Sequence, residues 1–220
     1  MGVKKMGRKR CKAIVRPRHP AEFRDITPLV RFPTRFGMFK LMAVVDKKGD
    51  EHVVIIRGNV RDKKNVPTRI HSACLTGDVF GSMRCDCRDQ LEAALKFLGK
   101  KKCGLLVYLN QEGRGIGLVN KIKAYWLQDR GLDTVEANRC LGFEDDMRNY
   151  RIAAQIIKYL GIRSVVLLTN NPEKIEDLRK NGVEVSGRKP LIAEPTPYNR
   201  RYLKTKETKM GHMLSGEWGK

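Results

Sequence analysis

Three of the six cysteines lie close together in the chain: Cys74, then Cys85 and Cys87 with one residue between them. Cysteine thiolates bind zinc, and three protein ligands plus a water molecule are typical of a catalytic zinc site. A water bound at such an open site loses a proton near neutral pH and becomes a hydroxide nucleophile. The spacing therefore favours a catalytic zinc centre.

Two other interpretations of these cysteines stay open. His71 lies close enough in the sequence to supply a fourth ligand, and the same residues would then hold a structural zinc. Free cysteines are also often small core residues that bind no metal. No Cys-x-x-Cys pair exists to close the coordination sphere with thiolates, which favours the open site.

A polar, glycine-rich loop at residues 110–117 follows a continuous apolar run at 103–109. In α/β proteins, ligands bind outside the carboxyl ends of strands, where this loop is expected. Glu112 can accept hydrogen bonds from the N1–H and N2–H₂ groups of guanine, and Arg114 can bind phosphate oxygens. The alternative is a surface ion pair between these two residues, with Gly113 and Gly117 serving only as turn residues.

Three further side chains are candidates for chemistry. Tyr125 lies on a predicted helix beginning at Leu118, where an aromatic residue is more often part of the core. Asp146 and Arg148 lie near the start of the next predicted helix. For them the alternative is a helix-terminus charge and a solvated arginine.

A predicted helix N-terminus provides a candidate anion site. Asn171 caps a helix whose first position is Pro172. The hydroxyl of Thr169, the free backbone N–H groups and Lys174 would surround an anion bound there.

Periodicity predicts the elements that position these residues. Strands at 41–46 and 52–57 form a hairpin, and residues 60–71 continue in extended conformation. Helical spacing and apolar runs then alternate. The predicted order is helix 91–98, strand 103–109, helices 118–129 and 147–160, strand 164–169, helix 172–180 and strand 183–185. This order predicts a mixed α/β fold, with N-terminal antiparallel strands running into a mixed sheet flanked by helices.

Charge divides the chain of 220 residues, which has a net charge of +21. Residues 1–18 carry eight lysines and arginines and no acid, so we expect a disordered basic arm over 1–20. A single catalytic domain is expected over 21–190 and a basic C-terminal tail over 191–220. The excess charge attracts polyanions, but no aromatic residue is interleaved in the arm for base stacking, so nucleic acid binding is not favoured.

Cysteine usage and hydropathy predict the compartment. Six cysteines at irregular spacing are too few for a disulfide scaffold, which indicates a reducing, cytoplasmic environment. The sequence contains no apolar run of about 18 residues, so no membrane span is predicted. The basic N-terminus lacks the apolar core of a secretory signal.

Several long segments, taken in register, resemble GTP cyclohydrolase II, the first enzyme of riboflavin biosynthesis. The resemblance runs from about Thr34 to Leu214. It rests on RIHSACLTGD at 69–78, RCDCRDQLEAAL at 84–95, QEGRGIGLVNKIKAY at 111–125, DTVEANRCLGFEDDMR at 133–148, LLTNNPEK at 167–174 and KMGHML at 209–214.

The resemblance implies a zinc enzyme that converts GTP to formate, pyrophosphate and a diaminopyrimidine ribosylamine phosphate. It also implies magnesium with the triphosphate, and a homodimer. Zinc would be held by Cys74, Cys85 and Cys87. The implied catalytic residues are Asp146 as proton acceptor, Arg148 as nucleophile and Tyr125. The implied substrate-binding residues are Arg69, Ile70, His71, Ser72, Ala73, Gln90, Glu112, Gly113, Arg114, Thr134, Thr169 and Lys174.

The chain departs from the family pattern at Ala73, where glutamate is frequent, and at Arg88–Asp89 before Gln90. Neither departure removes a ligand, so they bear on substrate fit. A nucleophilic role for Arg148 rests on the resemblance alone, because a guanidinium with a pKa above about 12 is better suited to an electrostatic clamp. Two alternatives to the full reaction are an enzyme that stops at the formylamino intermediate and a zinc-containing nucleic-acid-binding module.

Overall fold

A computed structural model describes residues 21–214, which form one mixed sheet with helices packed against it. The strands are β1 (Phe23–Ile26), β2 (Val30–Thr34), β3 (Gly37–Asp46), β4 (Glu51–Arg57), β5 (Val66–Ser72), β6 (Gly104–Leu109), β7 (Ser164–Leu168) and β8 (Glu184–Lys189). Their order across the sheet is β1-β3-β4-β6-β5-β7-β8, and β2 pairs with the start of β3. The predicted mixed α/β fold is confirmed.

The sheet changes character at β6. From β1 to β6 the pairs are antiparallel, and the predicted hairpin is confirmed as β3 and β4, with Leu41 opposite Ile55. From β6 through β5 and β7 to β8 the pairs are parallel. Parallel strands direct their carboxyl ends to the same edge, so β5, β6 and β7 carry their following loops to one place.

Six helices accompany the sheet within the described residues: α1 (Cys87–Gly99), α2 (Gly117–Gln128), α3 (Thr134–Cys140), α4 (Arg151–Tyr159), α5 (Pro172–Lys180) and α6 (Arg200–Met210). The main core lies between the sheet and α4, whose buried face includes Ile152, Ile156 and Ile157. A smaller cluster joins Leu98 of α1 to Phe39 and Leu106 on the sheet. Four predicted helices, corresponding to α1, α2, α4 and α5, are therefore present.

The predicted start of α4 at Met147 is wrong, because the helix begins at Arg151. Side chains take the backbone donors that precede it. The Asp146 carboxylate accepts from the backbone N–H of Arg148 at 3.0 Å, and Asp177 accepts from that of Tyr150 at 2.6 Å. These bonds hold Asp146 and Arg148 in an irregular segment before the helix.

The region assigned to a basic tail holds a further helix. α6 buries Leu203, Thr205 and Lys206, and it packs against α3. The basic arm expected over 1–20 and residues 215–220 lie outside the described residues. Within 21–214, the structure contains no helix with the length and apolar character needed to cross a bilayer.

Candidate active site

One cleft collects the loops that follow the three parallel strands β5, β6 and β7. Ala73 and Cys74 follow β5, Glu112 and Arg114 follow β6, and Thr169 follows β7. All five line the same cleft, at the sheet edge where α/β folds bind ligands.

The thiols of Cys74, Cys85 and Cys87 lie within 4.8 Å of one another, and the Cys74 and Cys85 Sγ atoms are 3.7 Å apart. A helical turn, Leu75–Val79, brings Gly77 against them. A Cβ at Gly77 would lie 2.9 Å from the Cys85 Sγ and 3.1 Å from that of Cys74. Only glycine leaves room for the three sulfurs to converge, and a converging thiol set is the donor set that zinc prefers.

His71 does not complete this cluster. Its Nε2 lies 3.1 Å from the Asp78 carboxylate, and its Nδ1 lies 3.5 Å from Nη2 of Arg69. Tyr108 stacks on the imidazole and donates to Asp78 at 2.8 Å. Both ring nitrogens are therefore engaged, and within the described residues the group that could hold a metal ion consists of the three cysteines alone. The predicted alternative of His71 as a fourth ligand is wrong in this geometry.

Lys121 links the cysteines to the loop after β6. Its Nζ donates to the Sγ of Cys74 at 3.1 Å and to Oε1 of Glu112 at 2.8 Å. Hydrogen bonds with Cys85 and Cys87, together with the Lys121 ammonium, hold the pKa of the Cys74 thiol well below its usual value despite burial. Burial opposes the charge on Lys121, but Glu112 and Cys74 outweigh it and raise the lysine pKa.

Glu112 is held by donors on its own side of the cleft. Besides Lys121, it accepts from the backbone N–H of Leu75 at 2.6 Å and from that of Gly113 at 2.8 Å. Its side chain is 13% exposed and its ion-pair partner is Lys121, so the alternative of a surface pair with Arg114 is wrong. An ionised carboxylate has about four lone-pair positions, so about one stays open toward the cleft.

The loop conformation makes this arrangement possible. Gly113 has a φ of +61°, and a Cβ there would lie 3.1 Å from the Cβ of Lys121. Arg114 also has a φ of +61°, which is strained for a residue with a side chain. Gly113 is therefore more than a turn residue, because its lack of a Cβ admits Lys121.

Tyr125 is half-buried and lines the cleft, so the alternative of a core tyrosine does not hold. Its hydroxyl lies 3.3 Å from Oγ1 of Thr76, and the guanidinium of Arg84 lies 4.9 Å from its ring centroid. Burial raises the pKa of Tyr125 to about 12. The phenol is therefore protonated at neutral pH and can donate a hydrogen bond.

The far end of the cleft is rich in cations. Arg69 donates to the carbonyl of Leu168 at 3.0 Å, and burial lowers its pKa to about 10. Lys174 donates to the carbonyl of Ile70 at 2.9 Å. Burial and the positive charges of Arg69 and Arg148 lower the pKa of Lys174 well below its usual value. An anion bound here would offset this mutual repulsion.

Asp146 and Arg148 form a buried pair. Nε of Arg148 lies 2.8 Å and 3.0 Å from the two carboxylate oxygens, and Nη2 also bonds the carboxylate. Burial would raise the pKa of Asp146, but Arg148 outweighs it and keeps that pKa below its usual value. The Arg148 side chain is 13% exposed, so the solvated alternative is wrong.

Six side chains that line the cleft carry buried polar atoms without a hydrogen-bond partner among the described residues. They are Nε of Arg69, Oγ of Ser72, Oε1 of Gln111, both terminal nitrogens of Arg114, Nδ2 of Asn171 and Nε2 of His212. Asn171 caps α5 as expected, its Oδ1 accepting from the N–H of Glu173 at 2.9 Å. Buried polar groups without partners are costly, and most of these are N–H donors, so their position in one cleft points to a ligand with acceptor oxygens.

Most of the sequence-predicted site residues meet in this cleft. Its lining includes Arg69, His71, Ser72, Ala73, Cys74, Cys85, Cys87, Gln90, Glu112, Gly113, Arg114, Tyr125, Thr134, Arg148, Thr169 and Lys174. Two do not line it. Ile70 is buried in the main core, and Asp146 contacts the cleft residue Arg148 through its carboxylate.

Sequence reasoning missed the contribution of the C-terminal segment. Tyr202 and Lys206 of α6 and His212 after it line the cleft. The Tyr202 ring lies 5.6 Å from the guanidinium of Arg114 and 4.5 Å from the ammonium of Lys206. The KMGHML motif was the available signal, but it carried no role for its histidine.

Comparison with known proteins agrees with this cleft. A model of the GTP cyclohydrolase II family matches residues 25–190. GTP cyclohydrolase-2 of Picrophilus torridus is 53% identical over 184 residues, which cover 84% of this chain and 96% of that protein. GTP cyclohydrolase-2 of Neisseria meningitidis is 53% identical over 185 residues and is covered to 94%. Riboflavin biosynthesis protein RibBA of Endomicrobium trichonymphae is also 53% identical, and the chain spans 46% of its length.

Proposed function

This chain belongs to the GTP cyclohydrolase II family, and we propose that it hydrolyses GTP to formate, pyrophosphate and 2,5-diamino-6-hydroxy-4-(5-phosphoribosylamino)pyrimidine for riboflavin biosynthesis. The observation that carries this proposal is the content of one cleft. Three converging thiols, a shielded carboxylate and a group of cations lie within it. These are the groups that ring opening of a nucleoside triphosphate requires.

Zinc would be held by Cys74, Cys85 and Cys87, one ion per chain. When bound, zinc supplies a Lewis acid and an activated water for attack on an electron-poor carbon. The residues around it keep this position open to a ligand. His71 is bonded to Asp78 and cannot close the coordination sphere, while Lys121 stabilises the Cys74 thiolate.

Glu112 would recognise the guanine base. Lys121 and two backbone N–H groups fix its carboxylate, and its remaining acceptor position faces the cleft. Guanine offers adjacent N1–H and N2–H₂ donors, whereas adenine lacks this pair. One donor would use the open position, and the second would take the place of one of the three present partners. The preference for GTP would therefore come from a carboxylate that the fold has already oriented.

The cationic end would bind the triphosphate together with Mg²⁺. Arg69, Arg114 and Lys174 supply positive charge, and Asn171 supplies a donor without another partner. Binding of phosphate oxygens would remove both the repulsion among the cations and the cost of the unpaired donors. Thr134 and Gln90 border the same space.

Arg148 would act as an electrostatic clamp at the α-phosphate. Although burial disfavours its charge, the neighbouring Tyr150 and Asp146 raise its pKa, so the guanidinium stays protonated. A protonated guanidinium has no free lone pair for attack. Asp146 stays ionised at neutral pH and can accept a proton, which agrees with the acceptor role that the resemblance assigns to it.

A homodimer would cover an exposed apolar surface beside the cleft. Val79, Phe80, Val119 and Trp126 are more than half exposed. The contact between Thr76 and Tyr125 brings the turn carrying the first two against α2, which carries the others. Burying such a surface against a second copy removes apolar area from water. The free thiols fit a reducing cytoplasm.

The decisive experiment incubates the purified protein with zinc, magnesium and GTP and measures formate and pyrophosphate separately. We expect both in equal amounts, with ATP as a substrate control that gives neither. Pyrophosphate without formate would indicate an enzyme that stops at the formylamino intermediate. Neither product, with salt-dependent binding of RNA or DNA instead, would favour the nucleic-acid-binding module.

A further inference from the structure

A continuous series of hydrogen bonds, two buried and two partly buried, runs from α6 to the carboxyl end of β7. Nζ of Lys206 donates to Oδ1 of Asp86 at 2.7 Å, and Nε2 of Gln90 donates to Oδ2 of Asp86 at 2.5 Å. Oε1 of Gln90 then accepts from Nη2 of Arg69 at 2.5 Å. Arg69 completes the chain by donating to the carbonyl of Leu168 at 3.0 Å.

The charged side chains in this hydrogen-bond series are buried. Lys206 is 8% exposed, Asp86 2% and Arg69 4%. Breaking a buried ion pair by removing one partner is strongly unfavourable, because the other charge is left without compensation. Asp86 therefore depends on Lys206, which lies 120 residues later in the chain.

Asp86 stands between two of the three cysteines. It is also the residue that precedes α1, where aspartate commonly caps the helix through its side chain. Here the side chain makes no capping bond and instead points to Lys206 and Gln90. The position of the Asp86 carboxylate thus fixes the backbone that carries Cys85 and Cys87.

The same carboxylate orients Gln90. Because the amide nitrogen of Gln90 donates to Asp86, its amide oxygen must face Arg69. Gln90 and Arg69 both line the cleft at the proposed triphosphate end. One lysine therefore supports both the metal-binding segment and two substrate-binding side chains.

We propose that Lys206 is a positioning residue that couples the three-cysteine metal site to the substrate-binding pair of Gln90 and Arg69 through Asp86. This inference rests on the proposed function for its substrate arm. Its metal arm does not depend on catalysis. Loss of the ammonium would leave Asp86 uncompensated, and its displacement would disturb the direction of two thiols and the orientation of Gln90 together.

The test compares Lys206→Met with Lys204→Met, a matched control on the same helix that removes one exposed lysine. Zinc affinity is measured by competition with a chromophoric chelator, and the thiolate-to-cobalt absorption band is recorded after Co²⁺ substitution. We expect Lys206→Met to weaken zinc binding about 10- to 100-fold, as is typical when a ligand's supporting partner is lost. The cobalt band should shift, while Lys204→Met should match the parent protein in both measurements.

Steady-state kinetics with GTP give the second readout. We expect Lys206→Met, measured at saturating zinc, to raise the KM for GTP because Gln90 and Arg69 lose their orientation. Lys206→Gln keeps an N–H donor, and we expect it to recover part of both losses. If Lys206→Met does not fold, as judged by circular dichroism, Lys206→Gln is measured in its place against the same criteria.

The coupling would be overturned by zinc affinity within about twofold of Lys204→Met, or by an unchanged KM at saturating zinc. Failure of the proposed function is a distinct outcome. In that case the parent protein releases neither formate nor pyrophosphate from GTP, yet the difference in zinc affinity between the two lysine variants persists.

Discussion

Two parts of the cleft lining each bring one buried lysine to the cysteine-bearing segment, but in different ways. We call them the α2 wall, residues 111–125, and the α6 wall, formed by α6 (Arg200–Met210). On the α2 wall, Lys121 donates directly to the Cys74 sulfur and to Glu112, nine residues away in the chain. On the α6 wall, Lys206 donates to Asp86, which lies between Cys85 and Cys87. The first lysine stabilises a thiolate, and the second orients the segment that carries the other two.

This difference separates local from global determinants of the site. The α2 wall is assembled by one stretch, residues 111–125, in which loop and helix are contiguous. The α6 wall comes from a distant part of the sequence, because β7, α5 and β8 lie between it and residues 111–125. Changes on the α2 wall should therefore alter chemistry and base recognition, whereas changes on the α6 wall should alter metal and phosphate binding together.

The largest expected effect comes from Cys85→Ser, which acts where the two walls meet. A serine hydroxyl is a poor zinc ligand compared with a thiolate, so we expect loss of the bound zinc and no detectable formate release. Metal analysis of the purified variant and the formate assay measure both effects. Cys140→Ser, at an exposed position on α3, is the control and should keep its zinc. Full activity of the Cys85 variant without metal would contradict the zinc site.

On the α2 wall, we expect Glu112→Gln to lower kcat/KM for GTP by about 10- to 100-fold. A well-placed pair of hydrogen bonds to a base discriminates by about 1–3 kcal/mol, and an amide cannot accept at both of its terminal atoms. Competition between GTP and ATP for binding should show a smaller loss for ATP. Glu184→Gln, at an exposed position on β8, serves as the control. An unchanged kcat/KM for GTP would remove Glu112 from base recognition.

The two walls also differ in how far sequence could predict them. Leu91, Ala94 and Leu98 revealed α1, and the apolar run at 103–109 revealed β6, because periodicity and burial coincide there. α6 gave no such signal, since two of its three buried residues are Thr205 and Lys206. Burial of a lysine cannot be predicted from the sequence unless its ion-pair partner is known, and the partner Asp86 lies 120 residues away.

The short length of one helix and local competition for hydrogen bonds at another explain two further differences. α3 has only seven residues, so its apolar positions are too few to establish a period. The start of α4 was placed too early because Asp146 and Asp177 bind the backbone N–H groups of Arg148 and Tyr150. The three cysteines were identified from their type and spacing, but the exclusion of His71 required the positions of Asp78 and Arg69.

Tyr125→Phe should change the product more than the rate of GTP consumption. The phenol is protonated, since its pKa is about 12, and its hydroxyl lies 3.3 Å from that of Thr76 at the cleft surface. It can thus donate to a formamide or its attacking water, a role that phenylalanine cannot fill. Mass analysis should show the formylamino intermediate accumulating, with Tyr198→Phe, an exposed tyrosine, as the control. A normal formate yield would leave Tyr125 without this role.

The smallest expected effect concerns the support of the α2 wall by the antiparallel half of the sheet. His52 on β4 is 2% exposed, and its Nδ1 accepts from the backbone N–H of Asn110, where the loop carrying Glu112 begins. Burial lowers the pKa of His52, although Asp46 and Asp50 oppose the shift. Protonation at Nδ1 would remove this acceptor, so acid should loosen the α2 wall and leave the Lys206–Asp86 pair intact.

The sign of the pH effect follows from that lowered pKa. Below the unfolded value of about 6.5, the unfolded chain binds a proton at His52 that the folded chain resists, so stability is lost as the pH falls. For this single proton the loss is at most about 1.4 kcal/mol per pH unit. Urea unfolding measured from pH 7 to pH 5 gives the free energy of unfolding as a function of pH. We expect this free energy to fall less steeply with decreasing pH for His52→Asn, whose Oδ1 can accept from Asn110 without titrating. Identical slopes for the parent and His52→Asn would show that His52 titrates alike in the folded and unfolded chains, and the α2 wall would then have no acid-sensitive support at this residue.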